Sequence, residues 1–149
     1  MIPGFNGHGL LPPGEHLCTL AEAQTRFSCN AHREHLWKRL CDCLAELLEK
    51  EILGSVIVDG SYVTDKETPG DIEICIDARG LPESMQGRVV MWYLRRSAHW
   101  NSLGISIHAN VDGTDLDFTI FFQYLGPKTA AAKRLHSKDP KGILRLRKL

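Results

Sequence analysis

Residues 55–77 constrain the fold most strongly, because they predict two short strands separated by a turn and a polar loop. The first strand is an apolar, β-branched run at residues 55–58. It ends at Gly60, where the missing side chain permits a sharp backbone turn. The second strand, residues 71–76, alternates polar and apolar residues with a period of two. This alternation predicts a strand with one acidic face and one isoleucine-rich face.

The acidic face of the second predicted strand carries two carboxylates, Asp71 and Glu73. Like charges about 6–7 Å apart along a strand repel each other unless a cation lies between them, and oxygen ligands suit Mg²⁺ or Mn²⁺. Just upstream, Gly60 and Ser61 offer backbone N–H groups and a hydroxyl group to a phosphate. Together these residues predict a site for a metal ion and a triphosphate. The alternative is a half-exposed strand with two solvated acids after an ordinary turn.

The spacing within this stretch resembles a known signature. Gly60-Ser61, nine intervening residues and then Asp71-Ile72-Glu73 resemble the motif of the DNA polymerase β-type nucleotidyltransferase superfamily. The resemblance implies an α/β fold, a mixed sheet with helices packed against it, and a third acid on a later, adjacent strand. Residues 114–122 are predicted to form that strand. Asp117, with an apolar residue on each side, matches the third motif best, and Asp115 is the second choice.

The resemblance also implies a reaction. A nucleoside triphosphate such as ATP would donate its nucleotidyl group to a hydroxyl group of a protein or RNA acceptor, and pyrophosphate would leave. Two divalent ions would be bridged by Asp71 and Glu73, with Asp117 completing the second ion site. Gly60 and Ser61 would hold the β- and γ-phosphates.

A second interpretation comes from the two ends of the chain, which resemble small stand-alone bacterial and phage nucleotidyltransferase-like proteins. The resemblance rests on the amino-acid sequences of residues 5–14 and 141–145. Such proteins often belong to toxin–antitoxin or phage-defence pairs. The alternative function is therefore a catalytically inactive, antitoxin-like protein of the same fold that binds a partner protein.

Length and composition limit the compartment and the partners. The 149 residues fit one domain, and 18 basic residues balance 18 acidic ones, so net charge favours neither a nucleic-acid nor a membrane partner. The five cysteines are odd in number, and the first residues lack a basic segment followed by an apolar one, which predicts a reducing cytoplasm. No apolar run approaches the roughly 20 residues needed to cross a bilayer.

The rest of the chain predicts an irregular N-terminal arm at residues 1–18, a nucleotidyltransferase-like domain at 19–126 and a basic tail at 127–149. The tail holds eight lysines and arginines against one acid, Asp139. It could bind RNA, an acidic partner protein or the phosphates of the nucleotide, and the alternative is a solvated tail.

Regular elements are predicted from capping and periodicity. Thr19 and Glu22 form a capping-box pattern that begins a helix at residues 20–27. Amphipathic helices are predicted at 31–52 and 84–100. A strand at 105–111 is expected to turn at Asp112-Gly113 into the strand that carries the third acid.

Overall fold

A five-stranded mixed sheet organises the chain in the computed structural model, which describes residues 1–52 and 54–147. The strands are β1 (Gly14–Cys18), β2 (Ser55–Asp59), β3 (Ile72–Asp77), β4 (Ile105–Asn110) and β5 (Gly142–Leu146). Their order in the sheet is β1-β5-β2-β3-β4. Strand β2 runs antiparallel to both β3 and β5, whereas β4 is parallel to β3 and β1 is parallel to β5. The mixed α/β architecture is therefore confirmed.

Six helices accompany the sheet in the described ranges. They are α1 (Leu20–Phe27), α2 (Ala31–Glu49), α3 (Glu83–Tyr93), α4 (Arg96–Leu103), α5 (Phe118–Phe122) and α6 (Gly126–Lys133). A short 3₁₀ turn, Ser61–Val63, follows β2. Helix α1 has its predicted bounds because the side chain of Thr19 accepts from the backbone of Glu22 while the carboxylate of Glu22 accepts from the backbone of Thr19.

The two faces of the sheet are covered by different parts of the chain. Ile72, Ile74 and Ile76 of β3 belong to the main core with buried residues of α1, α2 and α3. On the other face, Cys75 packs with Phe122 of α5. The predicted alternation along β3 is therefore confirmed, and its polar face points toward the side that carries α5.

Several predicted boundaries are wrong. Residues 14–18 of the expected irregular arm form β1, which pairs with β5 of the expected tail, so both ends of the chain contribute to one sheet. The helix predicted to end at residue 52 ends at Glu49. The helix predicted at 84–100 is two helices, because the chain bends at Leu94 and Arg95 between α3 and α4.

The predicted hairpin into a strand at 115–122 is also wrong, because residues 118–122 form α5. A carboxylate oxygen of Asp117 accepts hydrogen bonds from the backbone N–H groups of Thr119 and Ile120, which is a helix N-cap. The side chain of Asn110 accepts from the N–H of Phe118 and donates to the hydroxyl of Thr119. These side-chain bonds begin a helix in a run whose aromatic and β-branched residues favour a strand.

No helix in the described part of the chain is both long enough and apolar enough to cross a membrane.

Candidate functional site

A cleft of about 1210 Å³ opens where the polar face of β2 and β3 meets α5, α6 and the segment that follows them. Its lining includes Gly60, Ser61, Asp71 and Glu73, so the structure brings together all four residues of the central sequence motif. Asp71 immediately precedes β3 and Glu73 is its second residue, which places both carboxylates at one end of that strand.

The backbone of the turn at Gly60 lies close to the side chain of Glu73. In the antiparallel pairing of β2 with β3, Asp59 lies opposite Glu73. Gly60 has a φ of +85°, and a Cβ atom there would lie 2.9 Å from Oε2 of Glu73. A side chain at position 60 would therefore be strained by the backbone and would also crowd the carboxylate.

Asp71 is held from the neighbouring strand. The hydroxyl of Ser106 on β4 donates a hydrogen bond of 3.2 Å to Oδ2 of Asp71. Ser106 is also the register partner of Glu73. A serine therefore stands on the adjacent strand at the level of the two acids.

Glu73 lies in an environment that disfavours its charge. Burial raises the pKa of this carboxyl group to about 7, with further contributions from the negative charges of Asp59 and Asp71. A cation bound close to this carboxyl group would favour its charged form.

A buried ion pair forms the floor of the cleft beside Glu73. The ammonium group of Lys141 donates a hydrogen bond to Asp59, and each side chain is only 5% exposed. Burial raises the pKa of Asp59, and the charge of Lys141 opposes this rise. Sequence reasoning missed the pair because the two residues are 82 positions apart and meet only when β5 pairs with β2.

Lysines from the predicted basic tail line the same cleft. These are Lys128, Lys133, Lys138 and Lys141. Lys133 is held in place, since its ammonium group donates to Oδ1 of Asp65 at 2.7 Å and to the carbonyl of His8 at 2.5 Å. Lys128 and Lys138 are exposed and make no side-chain hydrogen bond or ion pair with the described residues. The cleft thus has an acidic end and a wall that bears free positive charge.

The loop after Gly60 is fixed by a buried arginine. Arg33 donates to the carbonyls of Phe27 at 2.6 Å and Lys66 at 2.5 Å, and also to the carbonyl of Tyr62. Its guanidinium group lies over the ring of Tyr62. The backbone between β2 and β3 therefore has a defined conformation, although no local pattern in the sequence connects it to α2.

Asp117, the predicted third acid, does not reach the cleft. Its carboxylate caps α5 and accepts from Arg79 at 2.6 Å, and Arg79 also pairs with Asp77 at 2.8 Å. Asp77 is four residues along β3 from Glu73, a separation of about 13 Å. Asp115 is exposed, and neither it nor Asp117 lines the cleft.

The donor set at the acidic end limits what metal it could hold. Within residues 1–52 and 54–147, no three histidine, cysteine or acidic side chains are arranged as a metal site. Mg²⁺ in proteins commonly uses one or two carboxylates together with water and substrate phosphates. Asp71 and Glu73 fit that smaller role, because Asp59 and Asp65 are already bound to lysines.

Comparison with known proteins gives a family. The model of the family of unknown function DUF6932 matches residues 3–147. A search of curated proteins finds no match. A search of solved structures finds none either.

Proposed function

Because the chain belongs to this family of unknown function, we propose a function from the chemistry of the cleft: metal-dependent transfer of a nucleotidyl group from a nucleoside triphosphate to a hydroxyl group of an acceptor. One observation carries the proposal. The paired acids Asp71 and Glu73 and the Gly60-Ser61 turn share a single cleft with five lysines.

The phosphate chain of the nucleotide would lie between the turn and the lysines. Ser61 supplies a hydroxyl group, and the N–H groups at the start of the 3₁₀ turn that it begins would cradle the phosphates. The lysines that line the cleft would attract the phosphate chain through their positive charge. Arg33 keeps the loop rigid, so little conformational entropy is lost when a ligand binds.

The charges at the acidic end favour one divalent ion rather than the two implied by the superfamily resemblance. Lys141 balances Asp59, which leaves the charges of Asp71 and Glu73 for one Mg²⁺. A bound Mg²⁺ would neutralise phosphate charge and orient the triphosphate. Asp71 is positioned for this by Ser106, and Glu73 would release its proton when the cation binds.

A specific observation favours a second candidate function, that of a partner-binding protein without catalysis. The superfamily pattern requires a third acid on the strand next to the one that carries the first two acids. In this protein β4 has Ser106 beside Glu73 instead. A chain with two available acids could keep nucleotide binding and lose transfer. Its effect would then depend on a protein partner.

Calorimetric titration with each nucleoside triphosphate, with and without Mg²⁺, tests the proposal. Asp71→Asn and Glu73→Gln should each abolish the Mg²⁺-dependent part of binding. Asp115→Asn is the matched control, because it removes an exposed acid that does not line the cleft. Absence of binding to every nucleotide in the wild-type protein, with the fold verified by circular dichroism, would contradict the proposal.

A transfer assay separates the two candidate functions. Nucleotides labelled at the α-phosphate are incubated with the protein and a cell extract, and label incorporated into protein or RNA is measured. Transfer that disappears in Asp71→Asn supports the enzyme. Nucleotide binding that depends on Asp71, without any transfer, supports the binding protein.

A further inference from the structure

The α5–α6 side of the cleft carries two aromatic rings that the core does not use. Phe121 is 67% exposed and Tyr124 is 47% exposed, and both line the cleft. Their neighbour Phe122 is only 2% exposed and packs on the sheet with Cys75. Helix α5 is therefore anchored by Phe122, while Phe121 points away from the core.

The ring of Phe121 and the backbone of Tyr124 are positioned by contacts with their neighbours. The ring of Phe121 lies edge-on to that of Phe118, with 6.3 Å between the centroids, and 6.4 Å from that of Phe122. Tyr124 is fixed through its backbone, since its N–H donates to the carbonyl of Phe121 and the residue forms a β-bridge with Pro140. We call Phe121 and Tyr124 the aromatic shelf.

Positive charge lies along the same cleft wall as the shelf. Lys128 is in α6, which begins two residues after Tyr124, and Lys138 lies just before the bridge at Pro140. Both lysines are exposed and line the cleft, and neither is paired with a described acid. Exposed aromatic rings beside unpaired lysines match the chemistry of a single nucleic-acid strand, whose bases stack while its phosphates contact the cations.

The cleft is larger than a typical small-molecule site. Small-molecule sites typically occupy about 300–1,000 Å³, and this cleft measures about 1210 Å³. The acids come from β3 and the loop before it, whereas the shelf and the two lysines come from α5, the turn between α5 and α6, α6 itself and the segment after α6. Two groups of elements thus offer two different chemistries within one cleft.

We propose that the aromatic shelf, with Lys128 and Lys138, binds an unpaired nucleic-acid strand. If the proposed nucleotidyl transfer is correct, this strand is the acceptor, and its terminal hydroxyl is delivered toward the acidic end of the cleft. The assignment as acceptor rests on the proposed function, whereas strand binding does not. The alternative ligand of the aromatic shelf is the base of the nucleotide, which could stack on the same rings.

Fluorescence anisotropy with a labelled twelve-residue oligouridylate or oligoadenylate, and the corresponding DNA, tests strand binding. We expect Phe121→Ala with Tyr124→Ala to weaken binding by about tenfold or more, since a stacked base contributes about 1–3 kcal/mol. Ile120→Ala is the matched control, because Ile120 is 57% exposed on the same helix but does not line the cleft. Duplexes of the same sequence should bind weakly, because their bases are already stacked.

The salt dependence of the same titration tests the lysines. Removing two phosphate contacts should reduce the slope of log affinity against log salt by about 1.4 for a single strand. Lys128→Ala with Lys138→Ala should show this change. Lys38→Ala with Lys50→Ala, which removes the same charge from α2 and its C-terminus, should not.

The outcomes separate this inference from the proposed function. Strand binding that persists in Asp71→Asn, while Mg²⁺-dependent nucleotide binding is lost, supports both. Strand binding without any nucleotide binding supports the shelf alone. Loss of nucleotide affinity in the shelf variant, with strand affinity unchanged, would assign the shelf to the nucleotide base and overturn the inference. Failure of the wild-type protein to bind any single strand at low salt would overturn it as well.

Discussion

The two ends of the polar face of β3 carry the same kind of group in opposite electrostatic states. Asp77, at one end, is partly buried, but it accepts from Arg79 at 2.8 Å and from Arg145 at 3.2 Å, and these bonds lower its pKa. Glu73, at the other end, has no arginine partner among the described residues; burial raises its pKa to about 7, and the negative charges of Asp59 and Asp71 add to the rise. The strand is the same, so the difference comes from the neighbours that tertiary packing supplies.

The two ends of β3 therefore differ in how far their charges are satisfied within the protein. The Asp77 end satisfies its charges internally, with Asp117 as a further partner of Arg79. The Glu73 end retains negative charge that nearby lysines compensate only in part, beside an open cleft. An unsatisfied charge costs folding free energy, and a ligand that satisfies it recovers that cost as binding free energy.

Breaking the ion pair beside Glu73 should change the free energy of unfolding the most. Lys141→Met leaves Asp59 buried without its cation and should lower the free energy of unfolding by about 3–5 kcal/mol. Urea denaturation at pH 7.5 measures the loss. The double variant Asp59→Asn with Lys141→Met should recover most of it, and equal stability of the single and double variants would contradict the pairing.

Glu73→Gln should have the next largest effect, and it should stabilise. A carboxyl group whose pKa rises from 4.5 to about 7 on folding makes the folded state progressively less favourable as pH increases between those values. Replacing it with a neutral amide should therefore raise the free energy of unfolding at pH 8 by an amount on the order of 1–3 kcal/mol. The gain should shrink toward pH 5.

Thermal denaturation of wild type and Glu73→Gln at pH 5 and pH 8 checks this prediction. Asp115→Asn is the control for loss of an acid outside the cleft. Addition of Mg²⁺ at pH 8 should stabilise the wild-type protein more than the variant. A variant that is less stable than wild type at pH 8 would show that Glu73 is compensated in the folded protein.

Asp77→Asn should change stability in the opposite direction. A depressed pKa contributes stability above the pKa of the unfolded carboxyl group, and this contribution is lost as pH falls through the folded value. We expect a loss of about 1–2 kcal/mol at pH 7, since bonds between charged groups are removed, and a smaller loss in acid. Chemical denaturation at pH 7 and pH 3 measures the difference. A loss that is the same at both pH values would exclude the ionic explanation.

Asp117→Ala should have the smallest effect of the four. It removes the N-cap of α5 and one partner of Arg79, which corresponds to about 1 kcal/mol. Calorimetry should show Mg²⁺-dependent nucleotide binding close to that of the wild-type protein, because Asp117 does not line the cleft. Loss of that binding with the fold intact would support the third-acid role predicted from the sequence.

The sequence predicted what depends on neighbouring residues. Alternation placed Asp71 and Glu73 on one face of a strand, and the capping box placed the bounds of α1. The turn at Gly60 could be predicted because glycine at the end of an apolar strand permits the sharp backbone turn that other residues avoid.

What the sequence did not predict depends on distant partners. The residues from Phe118 to Phe122 favour a strand locally, yet Asn110 and Asp117 supply the hydrogen bonds that begin a helix there. The pairing of Asp59 with Lys141 has no local signal at all, because it follows from the insertion of β5 between β1 and β2.

That insertion has a consequence for the order of events during synthesis. Lys141 and β5 are synthesised last, after both of the strands that β5 joins, β1 and β2. A nascent chain that extends only to residue 140 has Asp59 but lacks the lysine that pairs with it. The lining of the cleft is therefore completed only after the last strand has been synthesised.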